Sequence, residues 1–299
     1  MATAATAKKQ DSLSLVIVLT LIVLDVFVWQ RVIFARPPSE PQMYFLDVGQ
    51  GDSELLVLPG GVSFLTDAGP DAKISRELEG KLPLGRRYLD LAIISHPHLD
   101  HFGGFNNLLD RYEFGAFIIN GRGPDATDAE AWKLLMQKIR MENIPLITLE
   151  AGDGIRFEDN RLDFISPNPI VLGSADLNDT GLVELIKTAS FRALLPADIG
   201  LAVENYLISN FNIKADILKI GHHGSKYSSG DEFLKAVNPK IAIIELGSQN
   251  RYGYPAKEAI TRLLSSAIAK VFRTDENGTI KVVAEGGKLR GFIEKTSNY

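Results

Sequence analysis

The chain contains no cysteine, no long run of lysine or arginine, and only five histidines. The absence of cysteine excludes a disulfide scaffold, a thiolate-bound zinc or iron–sulfur site and a cysteine nucleophile, because each of these requires the thiol. The net charge of -5 argues against a broad surface that binds nucleic-acid phosphates through basic side chains alone. Any metal site must therefore be built from histidines and carboxylates.

The composition is that of a globular protein. Of the 299 residues, 45% are hydrophobic and 23% are charged, so the chain can bury a sizeable core. Because domains average roughly 150 residues, this length corresponds to one or two domains. We expect one domain with an appendage.

An apolar segment near the amino terminus predicts the appendage. Residues 13–35 form a nearly unbroken apolar stretch, interrupted by Asp25. As a helix, this stretch would exceed the roughly 30 Å of membrane hydrocarbon. We therefore expect an uncleaved, single-pass membrane anchor, with a cleaved signal peptide and a buried soluble helix as the alternatives.

The anchor defines the predicted organisation of the chain. An amino-terminal tail and anchor occupy residues 1–36, a proline-rich spacer occupies 37–41, and one larger domain occupies 42–299. We expect a cell-membrane protein whose larger domain lies outside the cytoplasm. Basic residues on both sides of the apolar segment leave its orientation open.

The remainder of the chain predicts two mixed sheets. Short strand patterns separated by glycine-rich turns come first, alternating strands and helices follow, and this order returns in the second half. The pattern indicates an α/β (α+β) domain with helices outside two sheets. Helical patterns cover residues 72–82, 102–109, 128–140, 201–209, 231–237 and 256–265.

The segment Ser95–His101 carries the strongest chemical signal. It reads SHPHLDH and directly follows an apolar strand pattern. The spacing offers nitrogen and oxygen ligands in two pairs, as two adjacent divalent ions require. The ligand-bearing residues are His96, His98, Asp100 and His101.

Other candidate residues also follow predicted strands. His222 and His223 lie between glycines, which allow the sharp backbone turn that brings an imidazole close to a metal. Asp198 ends another strand pattern, where a bridging carboxylate could lie. Asp67 follows the strand pattern VSFLT, and by itself it is equally consistent with simple turn formation.

Taken together, the motifs resemble the metallo-β-lactamase superfamily, and within it the hydrolase domain of ComEC-type proteins of DNA-uptake competence. The resemblance covers residues 42–293. It implies a four-layer αββα metallo-β-lactamase sandwich with the metal site at one edge between the sheets. It rests on the motifs FLDVGQGDS, TDAG, SHPHLDHFGG, LLPAD, ADILKIGHHGS, NRYGYP and FRTDENGTI, in that order.

The resemblance also implies the roles of individual residues. Asp67 would orient the ligand loop by hydrogen bonding, and with Asp100 it forms the predicted pair of catalytic carboxylates. One of His222 and His223 would be a metal ligand. The other implied ligands are His96, His98, Asp100, His101 and Asp198.

The sequence departs from the pattern of this superfamily in three ways. No histidine lies between His101 and His222, where many members carry a third imidazole, so water, Asn178 or Asp179 is expected to complete the first site. Tyr254 stands where similar domains have histidine, and a phenol cannot shuttle protons near neutral pH as imidazole does. The sequence predicts a single membrane span, whereas the full competence protein is a polytopic channel. We therefore do not expect this chain alone to transport DNA.

These features predict a membrane-anchored hydrolase with two divalent ions, zinc or manganese. Two ions bridged by Asp198 and a water would lower the pKa of that water toward about 7, giving a hydroxide that attacks phosphorus or a carbonyl. The candidates for substrate contacts are Lys219, Ser225, Lys226, Asn250, Tyr252 and Arg273.

Three functions are compatible with this pattern. The leading hypothesis is a phosphodiesterase or nuclease acting on DNA or another phosphodiester. The second is a hydrolase of a carbonyl substrate such as a lactone, thioester or β-lactam. The third, motivated by the missing histidine and by Tyr254, is a non-catalytic module that holds nucleic acid or an envelope partner. Protein partners cannot be derived from the sequence.

Overall fold

The computed structural model of the chain describes residues 2–33, 38–83 and 85–294. Residues 34–37 lie outside the described residues. They include the end of the predicted anchor and the first residue of the predicted spacer.

The chain divides into two compact units, and the first helix lies in the smaller one. This unit comprises Met1–Pro37 and Pro83–Arg86. Helix α1 spans Ala2–Ile33, and all of its described side chains, those of residues 14–30, are exposed. In this segment and in the other described helices, no stretch is both long and apolar enough to cross a membrane. The predicted membrane anchor is thus not supported by the described residues.

The larger unit contains the strands. Most of them are short, and glycine-rich turns separate many of them. The described residues form β1 (Gln42–Phe45), β2 (Glu54–Val57), β3 (Ser63–Thr66), β4 (Tyr88–Ile93), β5 (Glu113–Ile119), β6 (Leu146–Thr148), β7 (Gly154–Phe157), β8 (Asn160–Ser166), β9 (Val183–Lys187), β10 (Arg192–Leu195), β11 (Ile217–Lys219), β12 (Ile241–Ile244), β13 (Lys270–Arg273), β14 (Thr279–Glu285) and β15 (Lys288–Glu294).

The helices of this unit connect the strands. Several are single turns, and the longest follows β5. They are α2 (Lys73–Glu77), α3 (Leu99–Phe102), α4 (Phe105–Leu108), α5 (Ala129–Met141), α6 (Pro169–Leu172), α7 (Leu201–Asn210), α8 (Asp231–Val237), α9 (Lys257–Ser265) and α10 (Thr274–Asn277).

The strands form two mixed sheets, as the sequence predicts. In the first sheet the order is β15-β14-β1-β2-β3-β4-β5-β6, with an antiparallel meander from β1 to β3 and parallel pairing from β3 to β6. In the second sheet the order is β13-β12-β11-β10-β9-β8-β7, and the strands from β10 to β13 are parallel. Residues that follow β3, β4, β10 and β11 leave these parallel strands at their carboxyl ends, where α/β folds place their ligands.

Alternating side chains along the strands build the layers. Along β1, Met43 and Phe45 face the second sheet and pack with Ile217 and Ile243, while Tyr44 faces the helices α2–α5. The outer face of the second sheet packs against α7, α8 and α9. Side chains alternate between the two faces of a strand, so one face of each sheet packs against the other sheet and the opposite face packs against helices. The result is two sheets facing each other with helices on both outer sides.

The predicted helix over residues 102–109 is wrong in one respect: the structure has two single-turn helices, α3 and α4. Gly103 and Gly104 lie between them and approach the neighbouring backbone closely. A Cβ atom on Gly104 would meet the carbonyl oxygen of Ala68 at 2.1 Å, and one on Gly103 would meet that of Pro70 at 2.3 Å. The two glycines therefore allow the ligand loop to pack directly against the turn that carries Asp67.

Candidate metal centre

The loop after β4 places two of its histidines in the interior. His96 and His101 are fully buried, and their ring centroids lie 4.1 Å apart. Asp67, at φ 53° just after β3, accepts hydrogen bonds from the Ser95 amide at 2.8 Å and the Ser95 hydroxyl at 2.6 Å. Its carboxylate also lies 2.7 Å from Nδ1 of His101. Asp67 therefore joins both ends of the loop and leaves Nε2 of His101 free to bind a metal.

Asp198 lies where the two sheets meet, after the turn that follows β10. It is buried, and its Oδ1 accepts a hydrogen bond from Nζ of Lys219 at 3.2 Å. Its Oδ2 lies 3.5 Å from Nε2 of His101 and 3.4 Å from Nε2 of His223. One oxygen of Asp198 is thus held by the protein, and the other points toward the imidazoles of both histidine motifs.

The turn Gly221–Gly224 after β11 separates the roles of its two histidines. Both take left-handed backbone, with φ 49° at His222 and φ 51° at His223, so their side chains point in different directions. His223 is buried, its Nδ1 lies 2.9 Å from the carbonyl oxygen of Glu245, and its Nε2 lies 3.4 Å from Oδ2 of Asp100. The structure therefore groups His223 with the other candidate ligands.

His222 faces the opening of the site instead. About a quarter of its side chain is exposed, and its Nε2 lies 3.4 Å from the hydroxyl of Tyr254. The same nitrogen is 3.9 Å from Oδ2 of Asp198. Burial lowers the pKa of His222, so its imidazole is neutral at physiological pH.

The donor atoms form four overlapping groups among the described residues. Two of them contain Asp52, whose carboxylate contacts the ammonium group of Lys219. The other two are the ligand groups that fit divalent metals. Their ligand atoms lie within 4.8 Å of one another in each group. Nε2 of both His101 and His223 is buried without a hydrogen-bond partner among the described residues, and a coordinated ion would satisfy these two atoms. The two ligand groups are His96, His101 and Asp198, and Asp100, His101 and His223.

Two other predicted contributors to the first site lie nearby. Nδ1 of His98 is 3.1 Å from Nε2 of His96, although His98 is in neither group. Asn178 lines the cleft above the site, whereas Asp179 uses Oδ1 to accept a hydrogen bond from the amide of Gly200 at 3.0 Å. Of the two alternatives named from the sequence, Asn178 is the one that faces the site.

Asp100 completes the second group from the side of the cleft. Its side chain is 32% exposed and faces His223. Burial favours its neutral form, but His101 and His223 outweigh this effect and hold the pKa of Asp100 well below its usual value. Asp100 is therefore an ionised ligand that solvent and substrate can reach.

Asp52 is a buried site residue that the sequence analysis missed. Its carboxylate contacts Nζ of Lys219, and its Oδ1 lies 3.1 Å from Nδ1 of His223. Lys219 also donates to Asp198, so one ammonium group joins the two carboxylates. Although burial acts against both charges, Asp52 raises the pKa of Lys219, and Lys219 and His223 lower that of Asp52. The pair is therefore ionised. Lys219 is fully buried in these ion pairs, so the structure gives no support to its predicted contact with substrate.

Further carboxyl groups lie behind this pair. Glu54 and Glu245 are buried, and Oε1 of Glu245 accepts a hydrogen bond from the amide of Ser53 at 3.2 Å. Burial raises the pKa of Glu245 to about 8 and that of Glu54 well above its usual value, so both are protonated at neutral pH. The sequence feature that could have revealed these buried carboxyl groups is the pair of acidic residues Asp52 and Glu54 beside an otherwise apolar strand pattern.

An open cleft of about 670 Å³ lies over the candidate ligands. Of the predicted substrate contacts, Asn250 and Tyr252 line it. The lining residues include His98, Asp100, Asn178, Asp198, His222, His223, Asn250, Arg251, Tyr252 and Tyr254.

The other predicted substrate contacts lie elsewhere. Ser225 is buried, and its hydroxyl accepts a hydrogen bond from the amide of Tyr227. Lys226 lies against the ring of Tyr227, at 4.9 Å from the centroid. Arg273 forms ion pairs with Asp275 and Glu276. These side chains are used within the fold or lie outside the lining of the cleft, so the cleft gives the three predictions no support and they stay predictions.

The comparison with protein families agrees with this geometry. A model of the metallo-beta-lactamase superfamily matches residues 46–247, which is more than half of the sequence. The chain therefore belongs to the metallo-beta-lactamase superfamily. Its fold and its histidine and aspartate clusters are those of a metal-dependent hydrolase.

Two curated relatives match most of this chain. ComE operon protein 3 of Bacillus subtilis (strain 168) is 32% identical over 264 residues, which are 81% of this chain and 33% of the relative. Competence protein ComA of Neisseria gonorrhoeae is 28% identical over 250 residues, or 83% of this chain and 33% of the relative. The chain thus spans about a third of the length of these relatives.

A solved structure shows the same fold. The metallo-beta-lactamase fold protein YhfI from Bacillus subtilis matches with a TM-score of 0.51, and the match covers 85% of this chain and 100% of that one. The sequence identity is 15%, so the similarity concerns the fold alone.

Proposed function

We propose that this chain is a phosphodiesterase whose substrate is DNA, in keeping with the competence proteins that it resembles. The observation that carries the proposal is the convergence of two ligand groups on Oδ2 of Asp198 at the base of an open cleft. Two adjacent ions are a common arrangement in enzymes that cleave phosphate esters.

The residues of the chain have separable roles in this proposal. Asp100, His101 and His223 would hold one ion, and His96 with Asp198 would hold the other. When bound, such ions supply a water of lowered pKa and positive charge for the substrate oxygens.

The supporting residues fix the orientation of the ligands. Asp67 accepts from Nδ1 of His101, and the Glu245 carbonyl accepts from Nδ1 of His223. Each contact turns Nδ1 toward its acceptor and Nε2 toward the metal position. Although burial acts in the opposite direction, the neighbouring carboxylates raise the pKa of both imidazoles, so metal binding would displace a proton from Nε2. Lys219 neutralises part of the negative charge of Asp52 and Asp198. The ligand atoms are therefore pre-organised before a metal or substrate arrives.

The test is hydrolysis by the purified chain, loaded separately with zinc and with manganese. We expect two ions per chain by mass spectrometry of the metals, and cleavage of bis(p-nitrophenyl) phosphate and of labelled single-stranded DNA. Metal-stripped protein serves as the control and should regain activity on reloading. Absence of both bound metal and turnover would contradict the proposal and favour a non-catalytic binding module.

A carbonyl substrate is the second candidate, because the charges of the cleft favour it. The described lining contains the carboxylates of Asp100, Asp128 and Asp198 but, besides histidines, only one basic residue, Arg251. A neutral lactone or thioester would meet less repulsion there than a polyanion when no metal is bound. Turnover of a panel of such esters, without turnover of phosphodiesters, would decide for this candidate.

Membrane attachment and an extracytoplasmic position of the hydrolase domain stay proposals. The apolar side chains that α1 exposes between Leu15 and Trp29 motivate the proposal of attachment, because a large exposed apolar surface marks a site of protein or membrane contact. The extracytoplasmic position has no structural observation behind it. Membrane fractionation of the full chain, followed by protease protection of intact cells, tests both proposals. Recovery of the chain in the soluble fraction would contradict attachment.

A further inference from the structure

A row of aromatic rings leads from the candidate ligand His223 to the mouth of the cleft. Tyr254 is half-buried, and its ring centroid lies 6.3 Å from that of His223 and 5.6 Å from that of His222. Tyr252 continues the row, with its centroid 5.7 Å from that of Tyr254 and an angle of 18° between the two planes. Tyr252 is 54% exposed. An aromatic surface is thus presented next to the candidate metal centre.

The loop that carries Tyr252 is held by its own hydrogen bonds. The side-chain amide of Asn250 donates to the carbonyl oxygens of Gly247 at 3.0 Å and Tyr254 at 2.8 Å, and it accepts from the amide of Tyr254 at 2.9 Å. Tyr252 lies between these fixed points. The backbone on either side of Tyr252 is therefore held, and its ring lies against that of Tyr254.

The cleft has few positively charged side chains, so binding of a long nucleic-acid strand needs contacts that do not depend on charge. Among the described lining residues, Arg251 is the sole lysine or arginine, and its guanidinium carbon lies 5.4 Å from the centroid of Tyr252. Away from the ions that the ligand groups would hold, this single guanidinium attracts a long phosphate backbone weakly beside the carboxylates of Asp100 and Asp128. Stacking of a base on an aromatic ring needs no charge and tolerates any sequence.

The geometry points to Tyr252 as a stacking residue for a nucleobase of single-stranded nucleic acid, with Arg251 contacting the adjacent phosphate. A base that stacks on Tyr252 would orient the neighbouring phosphodiester toward the candidate metal ligands at the floor of the cleft. The inference rests on the proposed phosphodiesterase function and specifies its substrate: a base-bearing single strand, not a small phosphodiester. A duplex is disfavoured because its bases are already stacked.

Binding of two labelled strands tests the inference without requiring turnover. The full chain is titrated into a fluorescein-labelled oligothymidylate and into an abasic strand of the same length, and the anisotropy is followed with EDTA present to prevent cleavage. We expect tighter binding of the base-bearing strand by the wild type. In Tyr252→Leu the Kd of that strand should rise about 5- to 150-fold, with the abasic strand unchanged.

Two further variants serve as matched controls. Tyr252→Trp keeps an aromatic surface and should restore the preference for bases. Tyr227→Leu removes another exposed tyrosine, 65% exposed and not among the residues lining the cleft, and should change nothing.

The outcomes separate this inference from the proposed function. Equal binding of both strands by the wild type, or equal weakening of both in Tyr252→Leu, would overturn the stacking role. A wild type that prefers the base-bearing strand but cleaves no phosphodiester with either metal would uphold the stacking role and overturn the phosphodiesterase proposal alone.

Discussion

The cleft has a floor, formed by the candidate ligands and the buried carboxylates behind them, and a rim, formed by the loop around Tyr252. Different contacts hold the floor and the rim in place. The floor is buried, and its contacts join distant segments: Asp52 meets Lys219 across 167 positions, and Thr66 meets Glu184 across 118. The rim is exposed, and the side chain of Asn250 bonds within four residues of itself. The difference indicates that the floor, which holds the candidate metal ligands, depends on the whole fold. Substitutions in the rim can change the substrate preference of the protein without disturbing the sheets.

The largest expected effect is on the floor, in Asp52→Asn. This change leaves Lys219 buried without its main countercharge, and breaking a buried ion pair costs about 3–5 kcal/mol. The free energy of unfolding, measured by urea denaturation, should fall by that amount. The double variant with Lys219→Met should lose less than the sum of the two single variants, because it leaves no unpaired ammonium. Strict additivity would show that the two groups do not depend on each other.

The next effect is at the boundary between floor and rim, in Asp100→Ala. Asp100 is partly exposed, so the variant should fold, but it removes a ligand of one group. Loss of one of two bound ions is expected, with a fall in kcat/KM of at least about 100-fold, since even supporting residues of metal sites contribute 10- to 100-fold. The matched control is Asp125→Ala, an exposed carboxylate near His98 that lies outside both ligand groups. It should retain both ions, and a variant Asp100→Ala that also retains both would contradict the ligand assignment.

How much the sequence could reveal also differs between the parts of the site. The segment Ser95–His101 and the pair His222–His223 are local motifs, so their chemistry is visible without a structure. The contact of Lys219 with Asp52 joins the ends of two strands from different sheets, and no local pattern predicts it. From the sequence, Lys219 is predicted to contact substrate, because a lysine at the end of a strand is ordinarily exposed to solvent. Its burial in the structure favours a structural role instead.

Backbone conformation accounts for the remaining difference between sequence and structure at the ligands. The motif GHHG does not tell which histidine turns inward. Left-handed φ angles at both His222 and His223 direct one ring to the interior and the other to the cleft. The two sheets with outer helices were predictable from the alternation of strand and helix patterns. The division into α3 and α4 depends on close backbone contacts of Gly103 and Gly104, which are not visible in that alternation.

An effect that depends on pH, again on the floor, is expected for Glu184→Gln. Glu184 is fully buried and hydrogen-bonded to the hydroxyl of Thr66 at 2.9 Å, and burial raises its pKa to about 8. The folded state keeps this proton, while the unfolded state, in which the glutamate has its ordinary pKa of 4.5, releases it. The stabilisation is therefore complete below pH 4.5 and is lost as the pH rises from there through about 8, at up to about 1.4 kcal/mol per pH unit.

The measurement is the difference in thermal midpoint between wild type and Glu184→Gln from pH 5 to 9. Glutamine cannot ionise, so this difference should shift in favour of the variant as the pH rises. Parallel curves would show that Glu184 is already ionised, and the floor would then hold one more buried negative charge than proposed.

The smallest effect is expected on the rim, in Asn250→Ala. The variant removes three hydrogen bonds that fix the loop around Tyr252, but Tyr252 and Arg251 are exposed, and Tyr254 keeps its packing against the second sheet. The KM for single-stranded DNA should rise roughly threefold to tenfold, the equivalent of about one net hydrogen bond. Metal content, kcat and thermal midpoint should stay close to those of the wild type. Asn210→Ala, which removes a side-chain hydrogen bond to Tyr206 on α7, is the matched control and should leave KM unchanged. A variant Asn250→Ala that lost metal would show that rim and floor are coupled, because the loop would then be required to hold His222 and His223 in place.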